Sequence, residues 1–275
     1  FYAYGPEGKS YNLMRFQPEP SKPLPTFPST RIQTRILLEH CLRRRVEQVS
    51  NITTRYSTMV RHVMTEGNRV TGVVIDGTNQ QLKADLVIDA TGRVSRTLGW
   101  LDKMKFPKPT ESHVKCDFAY TTIFFQPKDP AIFTDAGFFM GGNTKSEYRR
   151  RGGGLIRMET VQLLATIGGR LGDHPPKDMA GFMAYAQTMV TPRVFDIISQ
   201  CEPVTEPHHF KFPKSIRRHY EKLEQFPEGL PPIAAAICHY NPVYGQGMSA
   251  ASRQAIALGE LLDARLKKNQ AIDGI

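Results

Sequence analysis

Asn241-Pro242-Val243-Tyr244-Gly245-Gln246-Gly247-Met248-Ser249-Ala250-Ala251 is the stretch on which the reading of this chain turns. An apolar run, Pro232 to Ile237, precedes it, and an alanine-rich segment follows. The order is therefore strand, proline-containing loop, Gly-x-Gly turn, helix. Two glycines let the backbone approach a ligand closely. A helix start offers free N–H groups and a partial positive charge. Such a turn suits an anion, or a ring that becomes anionic. The same residues also suit a turn that only packs a helix on a strand, and Gly-x-Gly alone does not separate the two. Ala251, Ala255, Leu258, Leu262 and Leu266 recur at helical spacing and predict a long helix from about Met248.

The second informative stretch is Ala84-Asp85-Leu86-Val87-Ile88-Asp89-Ala90-Thr91-Gly92-Arg93. Leu82 to Ala90 reads as a strand, and Leu86-Val87-Ile88 suits one buried on both faces. It ends in a small-residue turn, and ligands in α/β sheets bind at the carboxyl ends of strands. Upstream, Leu38, Cys41, Leu42 and Val46 predict an amphipathic helix with Thr34 as its N-cap. Short strands are expected at Ile52–Ser57, Met59–Met64 and Arg69–Ile75. Glu66-Gly67-Asn68 reads as a hairpin turn, and Asp76-Gly77 as another turn.

The middle of the chain is β-rich, with candidate strands at Val114–Phe125, Gly137–Met140, Leu155–Met158 and Val161–Ile167. Helices are expected at Lys177–Met189 and Pro192–Ser199, and a strand near His208–Phe212. Residues 1–33 are proline-rich and read as an extended lead-in. The pattern predicts one domain, residues 34–113 and 230–275, interrupted by a β-rich domain, residues 114–229.

Bulk properties narrow the class. The chain has 275 residues and 40% hydrophobic content. Its mean hydropathy is −0.37, which reads as a globular protein with a real core. No run of about 18 apolar residues is present, so no transmembrane helix is expected. The net charge is +10. Arg43-Arg44-Arg45, Arg149-Arg150-Arg151 and Arg217-Arg218 are short, separate clusters that read as solvated faces rather than a nucleic-acid surface. Cys41, Cys116, Cys201 and Cys238 form no metal or disulfide pattern, so reduced thiols in a cytoplasm are expected. Oligomeric state is not encoded in any of these features. The first residue is Phe1, and the sequence reads as an incomplete fragment.

Taken together, three segments resemble FAD-dependent monooxygenases of the aromatic-hydroxylase type. Asp85 to Arg96 is similar to the Ala-Thr-Gly turn of that family. Asn241 to Leu262 resembles the segment that wraps the flavin ring and starts the last helix of the FAD domain. Thr34 to Glu39 resembles the family's Ser-Arg-x-x-Leu-Glu helix start. Gly172-Asp173-His174-Pro175-Pro176 and Phe226-Pro227-Glu228-Gly229-Leu230 are also similar to one branch of these proteins. The resemblance covers residues 30 to 265 and implies an α/β (α+β) fold. That fold is a glutathione reductase/p-hydroxybenzoate hydroxylase-like FAD-binding domain, incomplete here, interrupted by a β-sheet substrate domain.

The resemblance also implies a function. FAD would be reduced by NAD(P)H and react with O₂ to give a C4a-hydroperoxide that oxygenates a hydrophobic or aromatic small molecule. No protein residue need serve as catalytic acid, and no metal is implied. Gly245, Gln246, Gly247 and Met248 would line the pyrimidine side of the flavin, and Pro242 its ring face. Arg35 would reach the phosphate or ribityl region, and Thr91 and Gly92 the nucleotide half. His239, just ahead of the ring-binding loop, is a candidate proton relay or a packed histidine.

Two departures stand against the pattern. Residues 1–33 hold no G-x-G-x-x-G, and Gly141-Gly142 and Gly152-Gly153-Gly154 lie outside any strand–helix context. The family usually places Gly-Asp just before Ala236, its Asp holding the ribityl chain, whereas Ala234 and Ala235 stand here. A methyl accepts no hydrogen bond, which forfeits about 1 kcal/mol. Two other readings stay open: a degenerate relative that binds a hydrophobic ligand without flavin, in a non-redox or cyclase-like role, and a basic protein that binds an anionic polymer.

Overall fold

The computed structural model describes residues 2–4, 10–12, 33–135, 137–140 and 150–272. They fall into two compact units, Phe1–Thr53 with Cys116–Pro213, and Thr54–Lys115 with Lys214–Ile275. Twelve strands and five helices carry the argument among the described residues. The strands are β1 (Tyr2–Tyr4), β2 (Ser10–Asn12), β3 (Val60–Glu66), β4 (Arg69–Ile75), β5 (Gln81–Lys83), β6 (Glu111–Pro127), β7 (Gly137–Met140), β8 (Arg151–Arg157), β9 (Leu163–Arg170), β10 (Cys201–Pro203), β11 (His208–Arg218) and β12 (Cys238–His239). The helices are α1 (Arg35–Glu47), α2 (Thr97–Lys103), α3 (Met179–Gln187), α4 (Arg193–Ile198) and α5 (Gly247–Lys267).

The first unit is built on a sheet in the order β2-β1-β7-β8-β9-β6-β11, with β10 also on β6. β1–β2, β6–β9, β6–β10, β7–β8 and β8–β9 pair antiparallel, whereas β1 runs parallel to β7, with Tyr2 opposite Phe138. The lead-in thus contributes two strands, and its residues 1, 5–9 and 13–32 lie outside the described ones. Period two along β6 buries Ala119, Thr121, Ile123 and Phe125. Ile123 and Phe125 share one core with Phe182, Tyr185 and Ala186 of α3 and with Val194, Ile197 and Ile198 of α4. The glycine run in β8 serves this packing. A Cβ at Gly153 would lie 2.3 Å from the Thr166 carbonyl, and one at Gly154 2.2 Å from that of Phe138.

The Gly172–Pro176 loop is a strap in this unit. Asp173 accepts two-pronged bonds from Arg151 at 2.9–3.1 Å, and its carbonyl accepts from the Tyr185 hydroxyl at 2.9 Å. The Arg151 guanidinium lies 4.1 Å from the Tyr185 ring centroid. The Pro176 carbonyl accepts from Thr121 at 2.9 Å. All three arginine clusters therefore contain an internally bonded member: Arg43 with Glu39 in α1, Arg151 here and Arg218 in the second unit.

The second unit holds the β3-β4-β5 sheet, whose hairpin turns at Gly67-Asn68 with Gly67 at φ +59°. Phe226–Leu230 runs beside it. Val70 N–H donates to the Glu228 carbonyl at 2.9 Å, and Leu230 is fully buried against Val63, Val70 and Trp100.

Three expected strands are corrected here. Ile52–Ser57 is a turn segment: Ile52 is 44% exposed and Ser57 takes φ +51°. Leu82–Ala90 is not one buried strand. After Ala84, which still donates to Thr71 O of β4, the chain bonds to 229–233 through Val87 N–H to Gly229 O, Asp89 N–H to Pro231 O and Ile233 N–H to Asp89 O. Ile88 is therefore 41% exposed, and the buried residue is Asp89 at 2%. Pro232–Ile237 is broken at Ala234, whose φ of +56° turns the chain into a single helical turn, Ala234–Ala236, before β12. The long helix α5 forms as expected, yet none of its residues is fully buried and Leu266 is 61% exposed.

Candidate functional site

The Ala-Thr-Gly turn is organised by a residue that the motif reading passed over. Asp89 ends the pairing with 231–233, and its carboxylate gathers four donors: the Thr91 N–H at 2.9 Å, and the hydroxyls of Thr91, Ser95 and Thr97 at 2.5 Å each. Burial alone would raise its pKa. The Ser95, Thr91 and Thr97 bonds outweigh that and hold the carboxyl below the usual range. Thr91 is thus fixed through both its N–H and its hydroxyl. Gly92 follows at φ +75°, a conformation that favours glycine. The hydroxyl residues at two, six and eight positions after Asp89 were the available signal.

The 234–236 turn lies against this one, since a Cβ added at Gly92 would sit 3.9 Å from the Ala235 Cβ. Two ties pin it. Ala234 N–H donates to Gln254 Oε1 of α5 at 2.5 Å. The Ala236 carbonyl accepts from Arg218 Nη1 at 2.8 Å, while Arg218 Nε donates to Glu111 at 3.1 Å. A left-handed alanine is held there by its surroundings, a pattern that clusters at ligand-holding sites.

Pro242–Tyr244 forms one helical turn, capped by Asn241 Oδ1, which accepts from Val243 N–H at 3.1 Å. Gly245 then takes φ +63° and Gln246 leads into α5. The first intrahelical bond there is Ala250 N–H to Gln246 O, and no side chain caps the helix start. The leading N–H groups of α5 therefore point out of the helix. Cβ atoms at Gly245 and Gly247 would meet nothing within 4 Å. Val243, Tyr244 and Met248 are 58%, 70% and 63% exposed, an open apolar surface at the helix start.

Of the expected site residues, Thr91, Gly92, Pro242, Gly245, Gln246, Gly247 and Met248 all belong to the second unit. Gly92 is linked to α5, at Gln254, through the 234–236 turn. Arg35 belongs to the first unit as the opening residue of α1. Next to it, Thr34 caps the helix by accepting from Leu37 N–H at 3.1 Å, and it donates twice to Glu159, at 2.8 and 2.6 Å. Tyr120 in the same unit has its phenol pKa raised by burial, against the opposing charge of Arg35.

A second polar row escaped the sequence reading because its members are 107 residues apart. Ser112 Oγ lies 2.7 Å from His219 Nε2, and His219 Nδ1 lies 3.0 Å from Glu221. The His219 bond, first among several, pulls the Glu221 carboxyl down to about 2. Among the described residues no cluster of histidine, cysteine or acid fits a metal ion, and no helix is long and apolar enough to cross a membrane.

No family model matches the chain. Protein Rv3254 of Mycobacterium tuberculosis is 32% identical over 257 residues, 88% of this chain and 52% of that protein. The chain thus spans about half the length of the curated relative it matches. Among solved structures, PqsL of Pseudomonas aeruginosa, a probable FAD-dependent monooxygenase, superposes with a TM-score of 0.65 at 13% identity, over 86% of this chain and 61% of PqsL. The flavin-dependent brominase Bmp2 gives 0.61 at 14% identity, over 86% and 56%. The fold is that of the p-hydroxybenzoate hydroxylase-like FAD-binding flavoproteins.

Proposed function

We propose that this chain forms part of an FAD-dependent monooxygenase that uses NAD(P)H and O₂ to oxygenate a hydrophobic or aromatic small molecule. The observation that carries the reading is the linkage of two turns to one helix. The Ala-Thr-Gly turn packs on the pinned 234–236 turn, which is bonded to Gln254 of α5, and the uncapped start of that helix carries exposed apolar side chains. In this reading residues 34–113 and 230–275 belong to an FAD-binding domain and 114–229 to a substrate domain. The setting is cytoplasmic.

The donor set fits the ring end of a flavin. A flat apolar ring with an electron-rich edge needs N–H donors on one side and open backbone on the other. Gly245, Gln246, Gly247 and Met248 offer outward N–H groups at a helix start, with space where side chains would stand. Pro242 would lie against the ring, Thr91 and Gly92 near the nucleotide half, and Arg35 near the phosphate or ribityl region. A bound flavin reduced by NAD(P)H supplies the oxygen chemistry. The residues orient the ring, exclude water from one face and stabilise negative charge near the α5 start through N–H groups and helix dipole. The loss of the ribityl carboxylate at 234–235 favours one alternative, a hydrophobic-ligand protein that works without flavin.

The test is the purified whole gene product. Co-purified flavin near one per chain, and NAD(P)H oxidation stimulated by an aromatic compound, are the expected results. A colourless protein that still binds a hydrophobic ligand would select the alternative.

A further inference from the structure

The row of Ser112, His219 and Glu221 lies within the second unit and shares no residue with the turns assigned to the flavin. His219 N–H donates to the Thr110 carbonyl at 2.9 Å, which holds the end of β11 beside the start of β6. Side chains alternate along these strands, so Arg218 with Glu111 and His219 with Ser112 go to opposite faces. One helical turn, Tyr220–Lys222, follows and brings Glu221 beside His219. Ser112 Oγ is then 2.7 Å from Nε2, and Nδ1 is 3.0 Å from Glu221 Oε1. Arg217 Nη2 donates to that same oxygen at 2.8 Å and so holds the carboxylate in place. The His219 bond, first among several, keeps the Glu221 pKa near its value of about 2, so the group is a carboxylate at neutral pH. A carboxylate only accepts. Nδ1 therefore carries the ring proton, and Nε2 accepts from the serine hydroxyl. Ser112 is exposed to solvent, while the His219 side chain is only 14% exposed.

We propose that Ser112, His219 and Glu221 form a second reactive site, at which small carboxylic esters acylate Ser112 and are hydrolysed. A hydroxyl nucleophile bonded to a base, with the base oriented by a third group, is recognised by geometry and not by fold. Ser112 Oγ forms a bond to the acyl carbon while Nε2 takes its proton, and the carbonyl electron pair moves onto oxygen. Collapse of that adduct breaks the bond to the alcohol, which leaves with the proton from Nε2. Water then attacks the acyl-serine by the same route and releases the acid and the free serine. No oxidant or reductant is consumed. The serine is open to solvent, so water solvates the developing oxyanion and completes deacylation, and esters of acidic alcohols are the matching substrates. The site operates with or without bound flavin.

The test treats the whole gene product with an alkyl fluorophosphonate, which modifies activated serines with loss of fluoride, and with p-nitrophenyl acetate. Labelling mapped to Ser112 by peptide mass spectrometry and release of nitrophenolate are the expected results. His219→Ala keeps the serine and removes the base, and it should slow labelling about a hundredfold. Added imidazole should restore part of that rate, which a merely structural histidine would not allow. Ser112→Ala should abolish both the label and the nitrophenolate release, with circular dichroism as the check on folding. The imidazole rescue keeps the question decidable if Ser112→Ala does not fold. An unlabelled Ser112 in folded wild-type protein overturns the proposal. So does labelling that is equally fast in His219→Ala, and in both cases the row only fastens the 220–222 turn to β6. Flavin content is read separately by absorbance and enters neither result.

Discussion

In the first unit sixteen buried residues, Phe125, Phe138 and Phe182 among them, form one apolar cluster between sheet and helices. In the second, the buried cluster is Val63, Val70, Trp100 and Leu230, and α5 has no fully buried residue. What replaces apolar packing there is polar fastening: four donors on Asp89, and the 234–236 turn tied by Gln254 and Arg218. Apolar burial is non-directional and tolerant of small shifts. Hydrogen-bonded turns hold backbone groups in fixed directions, which a ligand site requires. The two units should therefore respond to different perturbations.

The largest effect is expected in the first unit. Phe182 is fully buried, with its ring centroid 6.3 Å from that of Phe125. Phe182→Ala should cost about 3–5 kcal/mol, read as a lowered urea midpoint. A loss under about 1 kcal/mol would show that this core is not the stabilising centre. In the second unit Asp89→Asn should cost about 2 kcal/mol, because an amide cannot accept from all four donors. Its signature is pH. The folded-state pKa of Asp89 is depressed, so the stabilisation is complete above the unfolded value of about 4 and fades as pH falls through the lower folded one. Acid titration of stability should be flatter in Asp89→Asn than in wild type, and parallel curves would refute the role of this carboxylate.

Ala234→Gly tests the strained turn. Relief of a left-handed alanine should stabilise the protein by up to about 1 kcal/mol, seen as a raised melting temperature, and a lowered one would show that Ala234 is unstrained. Gly247→Val should be the mildest for stability, within about 0.5 kcal/mol, because its Cβ enters open space. If a flavin ring occupies that space, the same change should weaken its binding. A lost preference of about 1.4 kcal/mol for the reduced form would lower its potential by about 30 mV. A fallen melting temperature with an unshifted potential would assign Gly247 to packing alone.

Features set by neighbours in sequence were legible. Thr34 caps α1, and Gly67-Asn68 turns the β3–β4 hairpin, because each depends on a few adjacent residues. The three segments that form the site were also recognisable by motif. The misreadings share a cause. Leu86-Val87-Ile88 and Pro232–Ile237 have strand composition, but a strand needs partners on its edges and straight backbone, and composition reports neither. Asp89 went unassigned because its role comes from hydroxyls that converge on it only after folding, and His239 stayed open between proton relay and packed histidine because the Arg93 and Arg218 charges around it are also set by the fold.

The bond from Ala234 N–H to Gln254 Oε1 joins the pinned turn to the middle of α5 across 20 residues. An amide held by a side chain, rather than by a ladder, exchanges with solvent whenever that side chain lets go. Ala234 is thus a natural clock for the docking of α5. Its deuterium uptake reports how often the helix lifts from the turn, separately from unwinding within the helix, which the Ala250 amide registers. A ligand that bridges the turn and the helix start would slow the first clock and leave the second nearly unchanged.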